Sequence, residues 1–166
     1  MTEIIVIVAL ATNNCIGKDN DIPWRIKKDF QHFKDKTLGF PCIMGQRTYE
    51  SLPDGARPLP GRENIVLTFD KEWSEKGITI MHDFNEAINY VKNKGIEKAF
   101  ITGGASIYKL GLEVADKLEL TRVHKTVDGD VFFPEIDFSK FEKIESRDDS
   151  EGEFTFTFET YKRKND

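Results

Sequence analysis

Cysteine and histidine are scarce, with two and three residues respectively in a chain of 166. Cys15 and Cys42 could close one bridge at most, and a chain this long can build a core without it, so reduced thiols in a cytoplasm are expected. His32, His82 and His124 stand in no metal-ligand spacing with the cysteines, and H-E-x-x-H is missing, so no metal is expected. Long apolar runs are lacking as well. The longest, Ile4 to Ala11, has eight residues and follows Thr2-Glu3, too short for a membrane span and without a basic leader, so the expectation is a soluble, unexported protein. There is no excess of positive charge: 24 basic residues are scattered among 29 acidic ones, for a net −5, which leaves no footprint for nucleic acid. Neither G-x-G-x-x-G nor G-x-x-x-x-G-K-[ST] occurs, which removes the Rossmann fingerprint and the P-loop.

What is present reads as one globular domain over residues 1–166, for 39% hydrophobic residues and 12 glycines are ordinary values. Ile4 to Ala11 is rich in β-branched residues and reads as a strand buried on both faces, central in a sheet. From Thr12 to Trp24 the periodicity stops and Asn, Asp and Gly accumulate, which predicts a long functional loop. Ile26, Phe30 and Phe33 recur at helical spacing over Arg25 to Lys36. Short strands are predicted at Cys42 to Met44, Ile65 to Thr68, Ile78 to Met81 and Ala99 to Thr102, with a helical turn around Thr48 to Leu52. Asp83-Phe84-Asn85-Glu86 is a capping-box pattern opening a helix that turns Phe84, Ala87, Ile88 and Val91 inward and ends at Gly95. Ala105 to Leu110 forms the next helix and Leu118 to Val123 the next strand. Phe154, Phe156 and Phe158 alternate with threonines, a half-buried strand whose partner is Phe141 to Arg147. Strands alternating with helices and closing in a hairpin indicate an α/β fold, a mostly parallel sheet with helices on both faces and an antiparallel edge.

Asp29 is the most informative residue, since it lies on or beside the apolar stripe of its helix, three residues after Ile26 and four before Phe33. Burial raises an acid's pKa, and a proton donor near neutrality needs such a raised value, so Asp29 is a candidate general acid. The alternative is an edge carboxylate that tilts to solvent or pairs with Lys28. Gly103-Gly104, between an apolar strand and a helix, lets backbone N–H groups approach an anion such as a pyrophosphate, although a tight turn alone also needs glycine. Gly104-Ala105-Ser106-Ile107-Tyr108 half matches the esterase nucleophile elbow, but its second glycine is absent. Arg57 and Arg62 flank Pro58-Leu59-Pro60-Gly61 and could grip a carboxylate, or simply be solvated.

Together these pieces resemble a known family. Ile16-Gly17, Pro23-Trp24, Asp29, Phe33, Met44-Gly45, Thr48, Pro58-Leu59-Pro60-Gly61-Arg62, Gly103-Gly104, Tyr108, and Gly129-Asp130 before Phe133-Pro134 occur in the order and spacing of dihydrofolate reductase, over essentially the whole chain. The resemblance implies NADPH-dependent reduction of 7,8-dihydrofolate to tetrahydrofolate on an eight-stranded, mostly parallel sheet, supporting one-carbon metabolism and thymidylate and purine synthesis. It also implies antifolate inhibitors as ligands. Hydride would pass from nicotinamide to C6 of the pterin, with Asp29 binding the pterin edge and promoting protonation of N5. Trp24 and Tyr108 would accompany it in the catalytic centre.

By the same resemblance Ile7 and Thr102 offer backbone carbonyls, with Val8 and Ala9 lining the same floor. Phe30, Phe33, Leu52 and Leu59 pack on the pterin and benzoyl rings, Arg62 pairs with the folate α-carboxylate with Arg57 nearby, and Thr121 is the hydroxyl partner of Asp29. Trp24 belongs to the mobile loop over the nicotinamide. The cofactor set is Ala9, Ile16, Gly17, Asn20, Asp21, Gly45, Arg47, Thr48, Thr68, Phe69, His82, Thr102, Gly103, Gly104, Ala105, Ser106, Ile107 and Tyr108. Two departures touch the adenosine 2′-phosphate: Gln46 stands where the family commonly has Arg or Lys, and Ser106 replaces a basic residue often found in the Gly-Gly helix. Arg47, Thr68 and His82 would supply the charge and hydrogen bonds instead, so NADPH is favoured over NADH. Phe30 stands where many bacterial relatives have leucine. A same-fold reductase of a riboflavin precursor is the rival reading, against which Asp29 and Arg62 argue, and a non-catalytic nucleotide-binding module would not need Asp29. With no apolar helix face left over, a monomer is expected.

Overall fold

The computed structural model describes residues 1–19 and 21–165. In chain order the elements are β1 (Glu3–Ala11), β2 (Cys15–Gly17), α1 (Lys27–Thr37), β3 (Cys42–Gly45), α2 (Gln46–Glu50), β4 (Asn64–Leu67), β5 (Thr79–Met81), α3 (Phe84–Asn93), β6 (Lys98–Ile101), α4 (Ala105–Val114), β7 (Lys117–Val123), β8 (Val131–Phe132), β9 (Phe141–Glu151) and β10 (Phe154–Arg163). Eight strands form one sheet in the order β5-β4-β3-β6-β1-β7-β10-β9. The pairings from β5 across to β7 are parallel, and β10 and β9 add an antiparallel edge. The apolar run of β1 thus lies between β6 and β7, where a strand needs apolar side chains on both faces.

The alternation along β1 divides the core. Ile4, Val6, Val8 and Leu10 point to one face, where they meet Phe84, Ala87, Ile88 and Val91 of α3 and Tyr108 of α4. Ile5 and Ile7 point to the other, where Phe33 of α1 packs with Leu59, Phe100 and Met44. The α3 cap forms as its sequence dictates, with the Asp83 side chain accepting from the Glu86 N–H at 3.3 Å. Gly95 follows the helix with φ +66, a conformation costly for other residues.

Two features differ from expectation. The segment after β1 is not all loop, since β2 pairs antiparallel with β8. Three residues are too few for any periodicity to register, and their pairing is set by the distant segment at 129–133, where Asp130 N donates to Gly17 O and Phe133 N to Asn14 O. Strand β10 is not half-buried, because from Phe156 to Tyr161 every residue is buried. Its polar residues are matched inside the sheet. The Thr157 hydroxyl donates to Asp148 at 2.7 Å, and Glu159 pairs with Arg122 at 2.9 Å and Lys143 at 3.0 Å. No described helix is long and apolar enough to cross a membrane.

Candidate active site

Helix α1 inverts the usual arrangement. Its buried residues are Asp29 and Thr37, while Phe30 is 38% exposed and Phe33 is half-buried. A helix that hides a carboxylate and leaves phenylalanines partly open faces a site rather than a closed core. Asp29 is the third residue of the helix and looks onto β7, where Thr121 sits in register between Ala9 of β1 and Phe158 of β10. The Thr121 hydroxyl donates to Asp29 Oδ1 at 2.7 Å. Burial pushes the Asp29 carboxyl up to about 6, and the bond from Thr121 offsets part of that rise. Such a group holds its proton close to neutrality and can give it up there.

Next to Asp29 the floor is made by β1. The Tyr108 hydroxyl donates to the Ile7 carbonyl at 2.9 Å, and its ring lies 4.9 Å from that of Phe133. Burial, and then the charge of Asp29, push the Tyr108 phenol up, so it stays protonated and keeps that bond. Ile7 and Ala9 face the α1 side, but the Val8 side chain does not, because alternation sends it into the core under α3 and α4. Leu52 and Leu59 join Phe33 in the apolar cluster that includes Ile7. Beyond them lie the two arginines, which differ in their partners. Arg57 donates to the Glu50 carbonyl at 3.0 Å and pairs with Asp54 at 3.2 Å. Arg62 donates to Pro60 O and to Thr37 Oγ1, with its guanidinium 6.0 Å from the centre of the Phe33 ring. Among the described residues no carboxylate pairs with Arg62, so its charge is available to an acidic ligand.

A second half of the site lies at the carboxyl ends of the parallel strands, where open α/β sheets bind ligands. The ends Gly45, Leu67 and Met81 are in register, so the residues that follow them, Gln46, Thr68 and His82, form one row. The Thr68 hydroxyl donates to Gln46 Oε1 at 2.5 Å, and His82 Nδ1 lies 2.9 Å from the Thr68 carbonyl. Arg47, His82 and Ser106 are exposed, and Phe69 is almost fully so. Beside this row Thr102 and Gly103 tie β6 to β3, with Thr102 N donating to Ile43 O and Gly45 N to Gly103 O, both at 2.9 Å. The Gly103–Gly104 peptide is cis, and Gly103 has φ +123. A Cβ on Gly104 would stand 3.2 Å from Thr48 Oγ1, so the pair forms a cradle that side chains would fill. Helix α4 starts directly after it with no side-chain cap, leaving the N–H groups of Ala105, Ser106 and Ile107 for an anion.

Trp24 is 4% exposed and packs with Ile26, Ala11, Phe156 and Phe158, yet among the described residues its buried Nε1 has no hydrogen-bond partner. A buried indole N–H normally finds an acceptor. Ile16 and Gly17 lie in β2, with Ile16 against the α3–α4 core. The Asp21 carboxylate accepts from the Ile22 N–H at 2.8 Å and from Arg25 at 3.4 Å. Asn20 lies outside the described residues.

Residues 3–163 match the family described as dihydrofolate reductase. The chain belongs to the dihydrofolate reductase family. A dihydrofolate reductase of Neisseria gonorrhoeae is 42% identical over 164 residues, covering 97% of this chain and 98% of that one. A dihydrofolate reductase type 3 of Salmonella typhimurium is 37% identical over 164 residues, covering 97% and 98%. Among solved structures, the dihydrofolate reductase from Enterococcus faecalis complexed with NADP(H) and RAB-propyl has a TM-score of 0.90 at 34% identity, covering 98% of this chain and 97% of the other.

Within this family frame, one neighbour of Asp29 escaped sequence reasoning. The His32 ring stacks on Phe158 at 4.2 Å, beside Thr121. Burial and then the charges of Lys36 and Arg147 pull its imidazole down to about 4, so it is neutral where Asp29 titrates. Its spacing three residues after Asp29 was a usable signal, since such residues share a helix face.

Proposed function

We propose that this chain catalyses the NADPH-dependent reduction of 7,8-dihydrofolate to 5,6,7,8-tetrahydrofolate, acting as a single domain and a monomer in the cytoplasm. The observation that carries the reading is a buried carboxyl, Asp29, held by Thr121 on a helix that leaves Phe30 and Phe33 partly open. In this reading Asp29 binds the N3 and 2-amino edge of the pterin and raises the proton supply at N5. Phe30, Phe33, Leu52 and Leu59 exclude water from the rings, and Ile7 and Thr102 present carbonyls to the polar edges, with Ala9 beside them. Arg62 takes the α-carboxylate of the substrate, a role supported by its lack of an acidic partner among the described residues, with Arg57 alongside. The Trp24 indole N–H donates to the bound substrate. Antifolates would occupy the same site.

The residues present fit NADPH. The cradle of Gly103 and Gly104 beside Thr48 and Gly45, with the uncapped amides of Ala105, Ser106 and Ile107, suits a pyrophosphate. Arg47, Thr68 and His82 are set to receive the 2′-phosphate, with Phe69 beside the adenine. Ile16, Gly17, Asp21 and Tyr108 complete the nicotinamide end. When bound there, the reduced nicotinamide supplies a hydride to the pterin. The remaining work belongs to the chain: Tyr108 holds the Ile7 carbonyl in place, and Asp29 retains a proton near neutrality.

The deciding experiment follows loss of reduced-nicotinamide absorbance with purified protein and dihydrofolate, with NADPH and NADH side by side and with Asp29→Asn. NADPH oxidation that requires dihydrofolate and collapses in the variant is expected. No dihydrofolate-dependent oxidation by folded protein with either cofactor would overturn the reading.

A further inference from the structure

We propose that Glu151, at the tip of the β9–β10 hairpin, caps from a distance the helix that carries Asp29 and is a positioning residue for that proton donor, an inference that rests on the reductase reading above. Helix α1 cannot cap itself. Its N-cap residue is Ile26, whose side chain accepts no hydrogen bond, and its first turn opens with Lys27 and Lys28, which add positive charge at the positive end of the helix dipole. The missing acceptor comes from the other end of the chain. Glu151 Oε2 accepts from Lys27 N at 2.7 Å, and Glu151 Oε1 accepts from Lys28 N at 2.9 Å. The Lys28 ammonium pairs with Asp149 of β9 at 2.8 Å. The next amide, that of Asp29 itself, turns back to Ile26 O at 3.1 Å. One carboxylate therefore holds the two amides that immediately precede the proton donor.

The hairpin is well built for this task. Glu151 pairs with Phe154 across a connection of two residues, and Gly152 takes φ +59 there, which fixes where the Glu151 side chain leaves the sheet. Strand β10 also runs beside β7, with Phe158 in register with Thr121. Asp29 is thus located by two tethers, the Thr121 hydroxyl of β7 on its carboxyl and the Glu151 carboxylate of the β9–β10 hairpin on its backbone turn. The bonds from Lys27 and Lys28 hold the Glu151 carboxyl below the usual range, so the cap remains charged wherever Asp29 titrates. The groups acting on Asp29 are Thr121 of β7 and the Tyr108 phenol of α4. Those around Glu151 are Lys27 and Lys28, and the Lys28 ammonium is in turn paired with Asp149, which Arg147 also meets.

The test uses Glu151→Ala, Glu151→Gln and, for the side-chain ion pair alone, Asp149→Asn. Loss of a cap predicts that amide exchange at Lys27, Lys28, Asp29 and Phe30 speeds up by roughly 2- to 30-fold in Glu151→Ala. As water enters the first turn, the carboxyl of Asp29, followed by NMR, should titrate lower, toward the ordinary carboxylate value. The pH profile of kcat should move the same way, and kcat/KM for dihydrofolate should fall about tenfold with KM for NADPH unchanged. Glu151→Gln keeps one acceptor and should fall between the two. Asp149→Asn should change exchange and rate by less than about twofold, as exposed ion pairs do. Unchanged exchange in Glu151→Ala would sink the proposal, and so would faster exchange that leaves the Asp29 titration and the pH profile where they were. Exchange and carboxyl titration need no turnover, so they decide this point even if wild-type protein fails to reduce dihydrofolate, a result that would count against the reductase reading instead.

Discussion

Thr121 and Asp29 are 92 positions apart in the chain and 2.7 Å apart in space, joined by a hydrogen bond on a carboxyl that is only 8% exposed. The hydroxyl lowers the carboxyl while burial raises it, and burial wins. Replacing Thr121 by Val removes the opposing influence. A hydrogen bond to a charged group contributes about 1.5–3 kcal/mol, so the descending, high-pH limb of the Thr121→Val pH–rate profile should move up by roughly one to two pH units. An unmoved limb would separate Thr121 from the titrating group.

The same carboxyl should make the fold less stable as pH rises. Asp29 has an ordinary value of 3.8 and titrates at about 6 in the folded chain, so the native state holds its proton longer than the unfolded state does. Its contribution is fully favourable below about pH 4 and is lost as pH rises through about 6, a change of about 3 kcal/mol at 1.36 kcal/mol per unit. Asp29→Asn keeps an oxygen for the Thr121 hydroxyl and carries no charge. Urea unfolding should therefore find Asp29→Asn more stable than wild type by up to about 3 kcal/mol at pH 8, with the two converging near pH 4. Equal stability at both pH values would show that the carboxyl is not desolvated.

Activity should fall over the same pH range. Wild-type turnover should fall as pH rises through about 6, where Asp29 gives up its proton. Asp29→Asn should lose most at high pH, where solution supplies no proton, and recover in part at low pH as more substrate is protonated. Equal loss at every pH, measured as kcat/KM from pH 5 to 9, would remove Asp29 from the protonation step.

Much of this was legible in the residues, for a physical reason. The run from Ile4 to Ala11 had to be a central strand, and the periodicity around Asp83 had to be a capped amphipathic helix, because local pattern and tertiary environment agree at both places. Asp29 stood out because a carboxylate beside an apolar stripe conflicts with its surroundings. The parts that stayed hidden depend on distant partners. Strand β2 exists through β8, the buried face of β10 through Asp148, Arg122 and Lys143, and the cap of α1 through Glu151, none of which leaves a trace in local spacing.

The cap of α3 offers a check on the fold away from the site. Asp83→Ala removes the acceptor of the Glu86 N–H and should cost roughly 0.5–2 kcal/mol in urea unfolding. KM for NADPH and dihydrofolate should not change, since the buried side of α3 faces the core under Val8 rather than the Asp29 site. A change in KM without a loss of stability would place α3 in contact with a ligand.

Cofactor discrimination should reside in the row beyond β3, β4 and β5. Gln46 is engaged with Thr68 at 2.5 Å and brings no charge, so the cationic contribution to a 2′-phosphate falls to Arg47, which is exposed next to it. Arg47→Ala should raise KM for NADPH about 10- to 100-fold, the range of a lost charged hydrogen bond of about 1.5–3 kcal/mol, while leaving KM for NADH nearly unchanged. Steady-state kinetics with both cofactors checks this directly. If the two KM values rise together, Arg47 supports the loop rather than the phosphate. If neither rises, the preference for NADPH must come from Thr68 and His82, whose carbonyl and imidazole are already joined at 2.9 Å, and the substitution Thr68→Val becomes the next to measure.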